Sequence, residues 1–437
     1  MASLDLRQMG VVGAGGAGFP TAVKARSQVE YVLANGAECE PLVHKDVHVM
    51  ERFAPQVVGG MRIMMACTGA TKGRICVKGK HAEAIKALSE HLPGTGIDIN
   101  ILGDFYPAGD EYEIVYSATG RLIPPAGLPA QVGCVVNNTE TLFNVFQAAQ
   151  GMPVTHKFVS VVGLVERPSC FHVPIGTMLS DVLRWAGGKT QPDAAVVLNG
   201  LMMGRLIDNL DIPVTKTTGA MIVLPGNHPL IQRLRRADKE RIRVDRSACD
   251  QCSHCTELCP RHLLGYQVSP HKVMRGLGFS KSGSELLNNY AALCVQCGLC
   301  TMYSCPEGLF PREACMKAKA DMRAAGQKFV QQTPPEVHPM KEGRRVPTLA
   351  LRKRMGVLPY DTETEFREIP EQPRRVRIMF SQHIGKPAQP IVGVGTGVSV
   401  GQVVATVPED QLGVSIHASI NGVVSEITDT YLEIELR

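Results

Sequence analysis

Short apolar runs separated by glycine and proline turns fill the first part of the chain, and their spacing alternates between strand and helix. Residues 74–78 are predicted to form a buried strand, and residues 81–91 carry apolar positions at helical spacing. The run at residues 61–67 is short and mostly apolar, which also indicates a buried strand. This alternation predicts an α/β domain over residues 1–152.

The pattern changes twice further along the chain. Strands are predicted at 159–163, 194–199 and 221–224, with a helix at 177–185, and a connecting helix at 233–243. Prolines interrupt residues 331–377, where basic residues outnumber acidic ones, so we expect a linker there. From residue 378 onward, alternating apolar positions between glycine turns predict a barrel-sandwich β module.

Composition excludes several classes of protein. The 437 residues are 44% hydrophobic and 20% charged, which is ordinary for globular protein and allows several domains. A net charge of +5 is small for this length and predicts no nucleic-acid partner. The N-terminus lacks the pattern of a signal peptide, and no run of apolar residues is long enough for a transmembrane segment. We therefore expect a cytoplasmic protein.

Eight of the 14 cysteines lie in two motifs between residues 249 and 306. The first motif is Cys-x2-Cys-x2-Cys-x3-Cys-Pro, the bacterial ferredoxin spacing for a [4Fe–4S] cluster, and the second has one extra residue before its Cys-Pro. Zinc sites use two pairs of ligands and a disulfide framework suits secreted chains, so both alternatives fit less well. Because two-cluster ferredoxins exchange their fourth ligands, we predict one cluster on Cys249, Cys252, Cys255 and Cys305, and another on Cys294, Cys297, Cys300 and Cys259.

A glycine-rich loop at residues 13–18 is the first chemical signal in the chain. Its backbone can approach a phosphate closely, and Lys24 follows as a counter-charge. The loop matches the dinucleotide pattern Gly-x-Gly-x-x-Gly, but the strand before it is short and Phe19-Pro20 interrupts the helix that should follow. A phosphate-binding loop of another fold is therefore the favoured interpretation.

Four stretches in order resemble one family. They are the glycine loop through Lys24, the acidic segment at 35–41, the segment at 106–111 and the Val-Asn-Asn-Thr-Glu-Thr segment at 136–141. Together they resemble the NADH-oxidising flavoprotein subunit of respiratory complex I and the related C subunit of Rnf-type electron-transport complexes. Asp110 replaces a glutamate of the family pattern, Ala14 replaces an arginine of the complex I relatives, and their second aromatic residue is missing at 25–27.

The resemblance implies an FMN site and a place for NADH as substrate. The residues that it assigns to NADH are Phe19, Glu40 and Glu111. Those that it assigns to FMN are Gly13, Gly15, Gly16, Gly18, Lys24, Asn35, Glu38, Tyr106, Gly109, Asp110, Asn137, Asn138 and Thr141.

The order of the modules along the chain indicates which branch of this family the sequence resembles. We predict an FMN/NADH-binding α/β domain at 1–152, a β-grasp (SLBB) module at 153–230, a ferredoxin-like helical domain with two [4Fe–4S] clusters at 231–330, a proline-rich linker at 331–377 and a barrel-sandwich module at 378–437. The fold class is thus multidomain α/β plus α+β. This order resembles the cobalamin reductases of propanediol-utilising bacterial microcompartments.

That resemblance implies an oxidoreductase that passes electrons from NADH to cobalamin inside a microcompartment. Implied partners are a cobalamin-dependent enzyme or adenosyltransferase and shell proteins. Two alternatives stay open: a peripheral subunit of an Rnf-like complex, and a non-enzymatic electron relay that does not bind NADH.

Overall fold

A four-stranded parallel sheet forms the centre of the N-terminal region. The computed structural model describes residues 4–278 and 287–437, so Met1 to Ser3 and part of the predicted cluster domain lie outside the described residues. The strands β1 (Tyr31–Gly36), β2 (Lys72–Lys78), β3 (Ile97–Leu102) and β5 (Cys134–Asn138) have the order β3-β2-β1-β5, and β4 (Phe105–Tyr106) lies apart. The accompanying helices are α1 (Thr21–Ala25), α2 (Lys45–Arg52), α3 (Ala54–Thr68), α4 (Ala82–Ser89), α5 (Glu111–Thr119) and α6 (Thr139–Ala149).

Alternating side chains of β1 enter two different cores. Val32 and Ala34 pack towards α3 and α6, whereas Tyr31 and Leu33 pack towards α5. A parallel sheet covered on both faces is the α/β arrangement that the sequence predicts, and the predicted strand at 74–78 and helix at 81–91 are confirmed as β2 and α4. The strand predicted at 61–67 is wrong, because those residues lie in α3, where buried Met61, Met64 and Met65 follow helical spacing.

A second, mixed sheet follows. Its strands are β6 (His156–Gly163), β7 (Ser169–Pro174), β8 (Ala195–Leu198), β9 (Arg205–Ile207) and β10 (Ala220–Leu224), in the order β12-β7-β6-β10-β8-β9, where β12 is Glu365–Arg367. Helix α7 (Leu179–Trp185) buries Leu179, Val182 and Trp185 against this sheet. The predicted strands and helix of the β-grasp module are therefore confirmed.

Short helices build the cysteine-rich region. They are α8 (Pro229–Arg235), α9 (Asp238–Ala248), α10 (His254–Glu257), α11 (Pro260–Leu263), α12 (Pro270–Gly276) and α13 (Pro311–Ala324). The single connecting helix predicted at 233–243 is wrong, because the backbone at Arg236 is extended (φ −62°, ψ 128°) and separates α8 from α9.

The segment predicted as a linker is attached to the rest of the chain. It contains α14 (Thr348–Met355) and β11 (Val346–Pro347), and β11 pairs with β4 of the N-terminal region. Strand β12 pairs in parallel with β7 of the second sheet. Residues 331–377 therefore do not form a free tether, although the predicted module boundaries themselves stay a prediction.

The C-terminal residues form two small antiparallel sheets around their own core. The strands are β13 (Arg375–Met379), β14 (Gln389–Pro390), β15 (Gly397–Val398), β16 (Val403–Thr406), β17 (Ile416–His417), β18 (Gly422–Ile427) and β19 (Tyr431–Leu436). Their order is β13-β19-β18-β15 in one sheet and β14-β16-β17 in the other. Within residues 4–278 and 287–437, no helix is long and apolar enough to cross a membrane.

Candidate functional site

The carboxyl ends of β1 and β5 bring the predicted asparagines together. The two strands are parallel neighbours, and Asn35 stands opposite Asn138 in their register. The Asn35 amide donates to the carbonyl of Gly109 at 2.9 Å. Asn138 caps α6, since its Oδ1 accepts from the backbone N–H of Glu140 at 3.0 Å, a common role for asparagine before a helix. Binding sites of parallel sheets lie at this edge.

The glycine loop at residues 13–18 closes over the same edge. The Gly13 N–H donates to the Phe19 carbonyl at 2.9 Å, and the Ala14 N–H donates to Thr141 Oγ1 at 2.9 Å. A Cβ at Gly15 would lie only 2.8 Å from the side-chain amide of Asn138, whereas a Cβ at Gly16 would meet open space. Glycine at position 15 therefore lets the loop lie against Asn138, and the exposed backbone at 15–17 remains open to a ligand.

Lys24 and Glu111 face each other beside this loop. The Lys24 ammonium donates to the Val136 carbonyl at 2.6 Å and lies 3.8 Å from the Glu111 carboxylate. Burial lowers the pKa of Lys24, while Glu111 acts in the opposite direction. Burial also raises the pKa of Glu111, while Lys24 acts to lower it. Lys24 thus supplies a cation for the predicted phosphate position, and Glu111 supplies a titratable carboxyl group for the predicted NADH position.

A cavity of about 300 Å³ opens between these elements, and we call it the strand-end cavity. Predicted site residues from the glycine loop, from the ends of β1 and β5 and from the start of α5 line this cavity. Met203, from the segment between β8 and β9, and Cys297, from the second cysteine motif, also line it. Its walls are Gly15, Asn35, Glu38, Cys39, Glu40, Asp46, Tyr106, Pro107, Gly109, Asp110, Glu111, Asn138, Met203, Val295 and Cys297.

Burial raises the pKa of two carboxyl groups of the cavity towards neutral pH. Burial, and next the neighbouring Asp46, raise the pKa of Glu38 to about 8. Burial also raises the pKa of Glu40 to about 7. The Glu40 carboxylate accepts from the backbone N–H groups of Met202 and Met203, each at 3.1 Å. Glu40 thus fastens the second sheet to the cavity, and its predicted contact with NADH stays a prediction.

Not every predicted residue lines the cavity. Gly13, Thr141 and Gly18 shape or support the loop, and the half-buried Phe19 closes it through its carbonyl. The Phe19 ring is not part of the cavity wall. Asn137 is buried beside the wall, only 3% exposed.

A buried ion network beneath the loop escaped prediction from the sequence. Glu140 accepts from Lys45 at 2.8 Å and also pairs with Lys157 of β6. Lys157 in turn donates to the Ala14 carbonyl at 3.2 Å. Glu140 stood in a recognised motif, but Lys157 is 17 residues further along the chain and no local pattern pointed to it.

The residues of this edge fit FMN. The exposed loop backbone and Lys24 suit a phosphate. Asn137 Nδ2 and Asp110 Oδ2 are buried and have no hydrogen-bond partner among the residues that the structure describes. Buried polar atoms of this kind are rare and indicate a missing ligand or water. The donor set and the unpartnered atoms therefore agree with a polar, phosphate-bearing cofactor.

The two cysteine loops share one backbone conformation. Gln251 and Gln296 hold equivalent positions in the two motifs, with φ of 63° and 60°. Ser253 and Gly298 are also equivalent, with φ of 65° and 82°. Left-handed residues at matching positions turn backbone N–H groups inward, and the Gln296 N–H lies 3.3 Å from the Cys294 sulfur. Hydrogen bonds to sulfur are typical of iron–sulfur sites.

Two cysteines, one from each motif, differ in the thiolates that act on them most. Burial raises the pKa of Cys255 to about 12, and its main thiolate neighbours are Cys305, Cys249 and Cys252. Burial likewise raises the pKa of Cys300, whose main thiolate neighbours are Cys294, Cys297 and Cys259. This grouping is the one that the crossed assignment requires, and the ligation itself stays a prediction. Across residues 4–278 and 287–437, no group of three or more His, Cys, Asp or Glu side chains is placed to hold a single metal ion.

The extra residue of the second motif forms a π-helical turn. Residues Cys300–Ser304 make this turn, and the Cys305 N–H donates to the Cys300 carbonyl at 3.2 Å. A π-turn is the usual way for a helix to absorb one inserted residue. The turn thereby directs Cys305 back towards the first motif. The extra residue of the second motif thus lengthens the segment that carries Cys305.

Two contacts join the cysteine region to the strand-end cavity. Tyr106 Oη donates to the Cys297 carbonyl at 2.6 Å. Arg261, which follows the first Cys-Pro, pairs with Asp110 at 2.8 Å and lies 3.4 Å from the ring centre of Tyr112. Arg261 was not predicted, because its partners are about 150 residues earlier in the chain. The group on Cys294, Cys297, Cys300 and Cys259 therefore lies on the cavity side.

Comparisons with known families agree with this arrangement. Residues 6–147 match the Nuo51 FMN-binding domain, 158–206 the SLBB domain, 248–310 the 4Fe-4S dicluster domain and 355–435 the RnfC barrel sandwich hybrid domain. A solved structure of an NAD+-reducing [NiFe]-hydrogenase is similar in fold. The alignment covers 80% of this chain and 66% of the hydrogenase chain, just under two thirds, with 19% sequence identity and a TM-score of 0.49.

Relatives whose names state an activity are more similar in sequence. The C subunit of the proton-translocating ferredoxin:NAD(+) oxidoreductase complex of Clostridium ljungdahlii is 32% identical over 59% of this chain and 55% of its own length. Cobalamin reductase PduS of Citrobacter freundii is 42% identical, and that of Salmonella typhimurium is 44% identical, each over 97% of this chain and 94% of its own length. The chain belongs to the PduS cobalamin reductase family.

Proposed function

We propose that this protein takes electrons from NADH at an FMN in the strand-end cavity and passes them through two [4Fe–4S] clusters to cobalamin. One observation carries the proposal: Cys297, a predicted cluster ligand, forms part of the wall of the cavity that fits FMN. The donor site and the first one-electron carrier thus share a boundary. The PduS relatives are cobalamin reductases by name, which supports cobalamin as the acceptor.

The chain's own residues would hold FMN in a defined orientation. The backbone of residues 15–17 and the Lys24 ammonium would bind the phosphate. Asn35, Asn137 and Asn138 would hydrogen-bond the polar edges of the flavin. When bound, FMN supplies the conversion of a two-electron donor into single-electron steps.

Glu111 and Glu38 would control protons and charge at this site. Burial raises the pKa of both carboxyl groups, and that of Glu38 to about 8, so Glu38 can be neutral near pH 7 and can donate as well as accept a hydrogen bond. A neutral carboxyl does not repel an anionic cofactor or substrate. We assign Glu111, beside Lys24, to the amide or ribose of NADH.

The cysteines define the order of the carriers. The cluster held by Cys294, Cys297, Cys300 and Cys259 would receive electrons first, because Cys297 lines the strand-end cavity. The cluster held by Cys249, Cys252, Cys255 and Cys305 would follow. Cys255 is among the thiolate neighbours of Cys300, so the two groups adjoin.

Anaerobic stopped-flow spectroscopy of the purified, cofactor-replete protein tests the proposal. NADH should bleach the flavin absorption, and added cob(III)alamin should then be reduced to cob(II)alamin. A flavin that NADH does not bleach would contradict the donor, and reduced protein that leaves cob(III)alamin unchanged would contradict the acceptor.

An Rnf-like peripheral subunit is the second candidate. The Clostridium relative and the match to the RnfC barrel sandwich hybrid domain favour it. Co-purification with membrane subunits, and electron exchange with a ferredoxin in preference to cobalamin, would identify this role.

A relay that does not bind NADH is the third candidate. It is favoured by the engagement of Glu40 with Met202 and Met203 and by the absence of Phe19 from the cavity wall. Equilibrium binding of NADH to the FMN-loaded protein distinguishes it from the first proposal.

We also infer that the protein works inside a bacterial microcompartment, near an adenosyltransferase or another cobalamin-dependent enzyme and close to shell proteins. This inference rests on the family resemblance. Affinity capture from cells that form such compartments should recover shell proteins, whereas recovery of membrane proteins would contradict it.

A further inference from the structure

A second cavity adjoins the cysteine region, and its wall includes Cys305, a predicted ligand of the cluster that does not border the strand-end cavity. It measures about 470 Å³. We call it the arginine cavity. Its walls are Pro229, Leu230, Gln232, Arg233, Arg236, Thr301, Met302, Cys305, Gly308, Phe310, Arg354 and Met355.

The lining of this cavity combines apolar side chains and polar, mainly cationic, groups in similar shares. Three of its residues are arginines, and none of the lining residues is acidic. The Arg354 guanidinium donates to the Cys305 carbonyl at 3.2 Å, which brings one cation to the backbone of a predicted ligand. Arg233 lies 4.6 Å from the ring centre of Phe310 and donates to the Thr301 carbonyl at 2.9 Å. Volumes of about 300–1,000 Å³ with a few placed polar groups are typical of ligand sites.

The nearby carboxylates Glu313 and Asp245 act on Arg233 and offset part of its charge. Arg236 pairs with Glu240 at 3.3 Å, but both side chains are exposed, so water and salt weaken that pair. Asp245 is occupied by the Phe310 N–H at 2.9 Å, and Glu313 by the Thr301 hydroxyl at 2.8 Å. The mouth of the cavity therefore presents guanidinium groups to an incoming molecule.

We propose that the arginine cavity is the electron-exit site, where cobalamin docks beside Cys305 with its phosphodiester on Arg236 and Arg354. This proposal rests on the proposed function and adds the place and the chemistry of acceptor binding. A corrinoid combines an apolar ring, carbonyl-bearing amide side chains and one phosphodiester anion. The apolar part of the cavity wall suits the corrin ring. Arginines bind both the amide carbonyls and the phosphodiester.

The size of the cavity fixes how much of the acceptor enters. A volume of about 470 Å³ cannot enclose a whole corrinoid, so one edge would enter and the remainder would stay in solvent. The electron balance is simple: one NADH yields two electrons, which reduce two cob(III)alamin molecules to cob(II)alamin, with release of NAD⁺ and one proton. Each docked cobalamin thus receives one electron and is replaced by the next.

The double variant R236Q/R354Q tests the exit site. Both side chains are exposed, and the half-buried Arg233 stays in place when they are replaced. The KM for hydroxocobalamin and its directly measured equilibrium Kd should both rise about tenfold, while the KM for NADH and the reduction of menadione, a neutral acceptor, stay unchanged. The wild-type KM for hydroxocobalamin should also rise with ionic strength, since salt screens exposed charges. The matched control R62Q/R323Q removes two exposed arginines outside the cavity wall and should change none of these values.

Iron content and visible absorption of R236Q/R354Q, equal to those of the wild type, show that the clusters are intact. An unchanged Kd and KM for hydroxocobalamin in that protein would overturn the exit site. Slower electron transfer to an acidic carrier protein with unchanged cobalamin binding would assign the cavity to a protein partner and also overturn it. If the wild type binds hydroxocobalamin but does not reduce it with NADH, the proposed function fails, while the Kd comparison still decides the exit site.

Discussion

Glu140 illustrates how much of the site depends on a single buried side chain. It is not exposed at all, and its carboxylate holds both Lys45 and Lys157. Lys157 connects this charge to the Ala14 carbonyl in the glycine loop. A buried carboxylate that loses one cation pays a desolvation cost that its remaining partner offsets only in part. The loop is therefore coupled to the second sheet through ionic contacts.

Replacing Lys157 by methionine should destabilise the protein by about 3 kcal/mol and weaken FMN binding, because Glu140 loses a partner and the Ala14 carbonyl loses its donor. Urea unfolding and fluorimetric titration with FMN measure the two effects. The control K72M removes an exposed lysine paired with Glu30, and its effect on stability should be much smaller because water and salt screen that pair. Equal unfolding midpoints for K157M and K72M would refute the role of the network.

Glu38 gives a dependence of stability on pH. Its pKa is about 8 in the folded protein against 4.5 as the ordinary value, so between these two pH values the folded state binds the extra proton. The stability contributed by the protonated group is present below pH 4.5 and is lost as the pH rises through 8. Urea midpoints followed by the fluorescence of Trp185 should fall from pH 5 to pH 8 in the wild type. In E38Q this fall should be smaller, and an identical profile would exclude Glu38 as its source.

At the scale of elements, the two cysteine loops bear on which cysteines belong to each predicted cluster. Each loop is a compact turn with left-handed residues at matching positions, and each sends its last cysteine away from the other three. The π-turn at Cys300–Ser304 adapts the second loop to its extra residue. The predicted crossed ligation would make the two loops one unit, since neither cluster could be completed by one loop alone.

Replacing Cys305 by serine should therefore remove about half of the protein's iron, because one [4Fe–4S] cluster loses a ligand while the other keeps all four. NADH should still bleach the flavin, but electron transfer to cobalamin should be lost. C259S should lose a similar share of iron from the cluster nearer the strand-end cavity. Iron analysis and low-temperature EPR distinguish the two variants, and an EPR spectrum common to both would contradict the crossed assignment.

The local motifs could be predicted from sequence because the residues that form them are close in the chain. The glycine loop, the cysteine loops and the asparagines were each identified from a few adjacent residues, and their assignment to cofactors stays a prediction. The residues that join these motifs could not be predicted, since Arg261, Lys157 and Met202 reach partners far away in sequence. The apolar run at 61–67 was misassigned because a short run looks alike in a buried helix and in a strand.

At the scale of the whole molecule, the predicted family and fold class are confirmed, and the C-terminal module is packed against the N-terminal loop. The Ile384 N–H donates to the Gly18 carbonyl at 3.3 Å, and a Cβ at Gly18 would lie 3.0 Å from the His383 backbone. The buried Lys216 donates to the carbonyls of Gly10 at 2.7 Å and Ser415 at 3.2 Å. The module therefore supports the loop from the side opposite the strand-end cavity, a role in packing that requires no swinging arm.

Arg7 is the contact that tests this support. Its guanidinium donates to the carbonyls of Glu409 at 2.7 Å, Val407 at 2.9 Å and Gln411 at 3.1 Å, which ties the N-terminal segment to the C-terminal module. R7M should lower stability by about 2 kcal/mol, since hydrogen bonds from a charged donor are lost, and should release FMN at a lower urea concentration than the wild type. Flavin fluorescence during urea titration measures this release, and R62M, which removes an exposed arginine of α3, should leave it unchanged. If R7M lowers the unfolding midpoint without advancing FMN release, the C-terminal module stabilises the fold but does not support the loop.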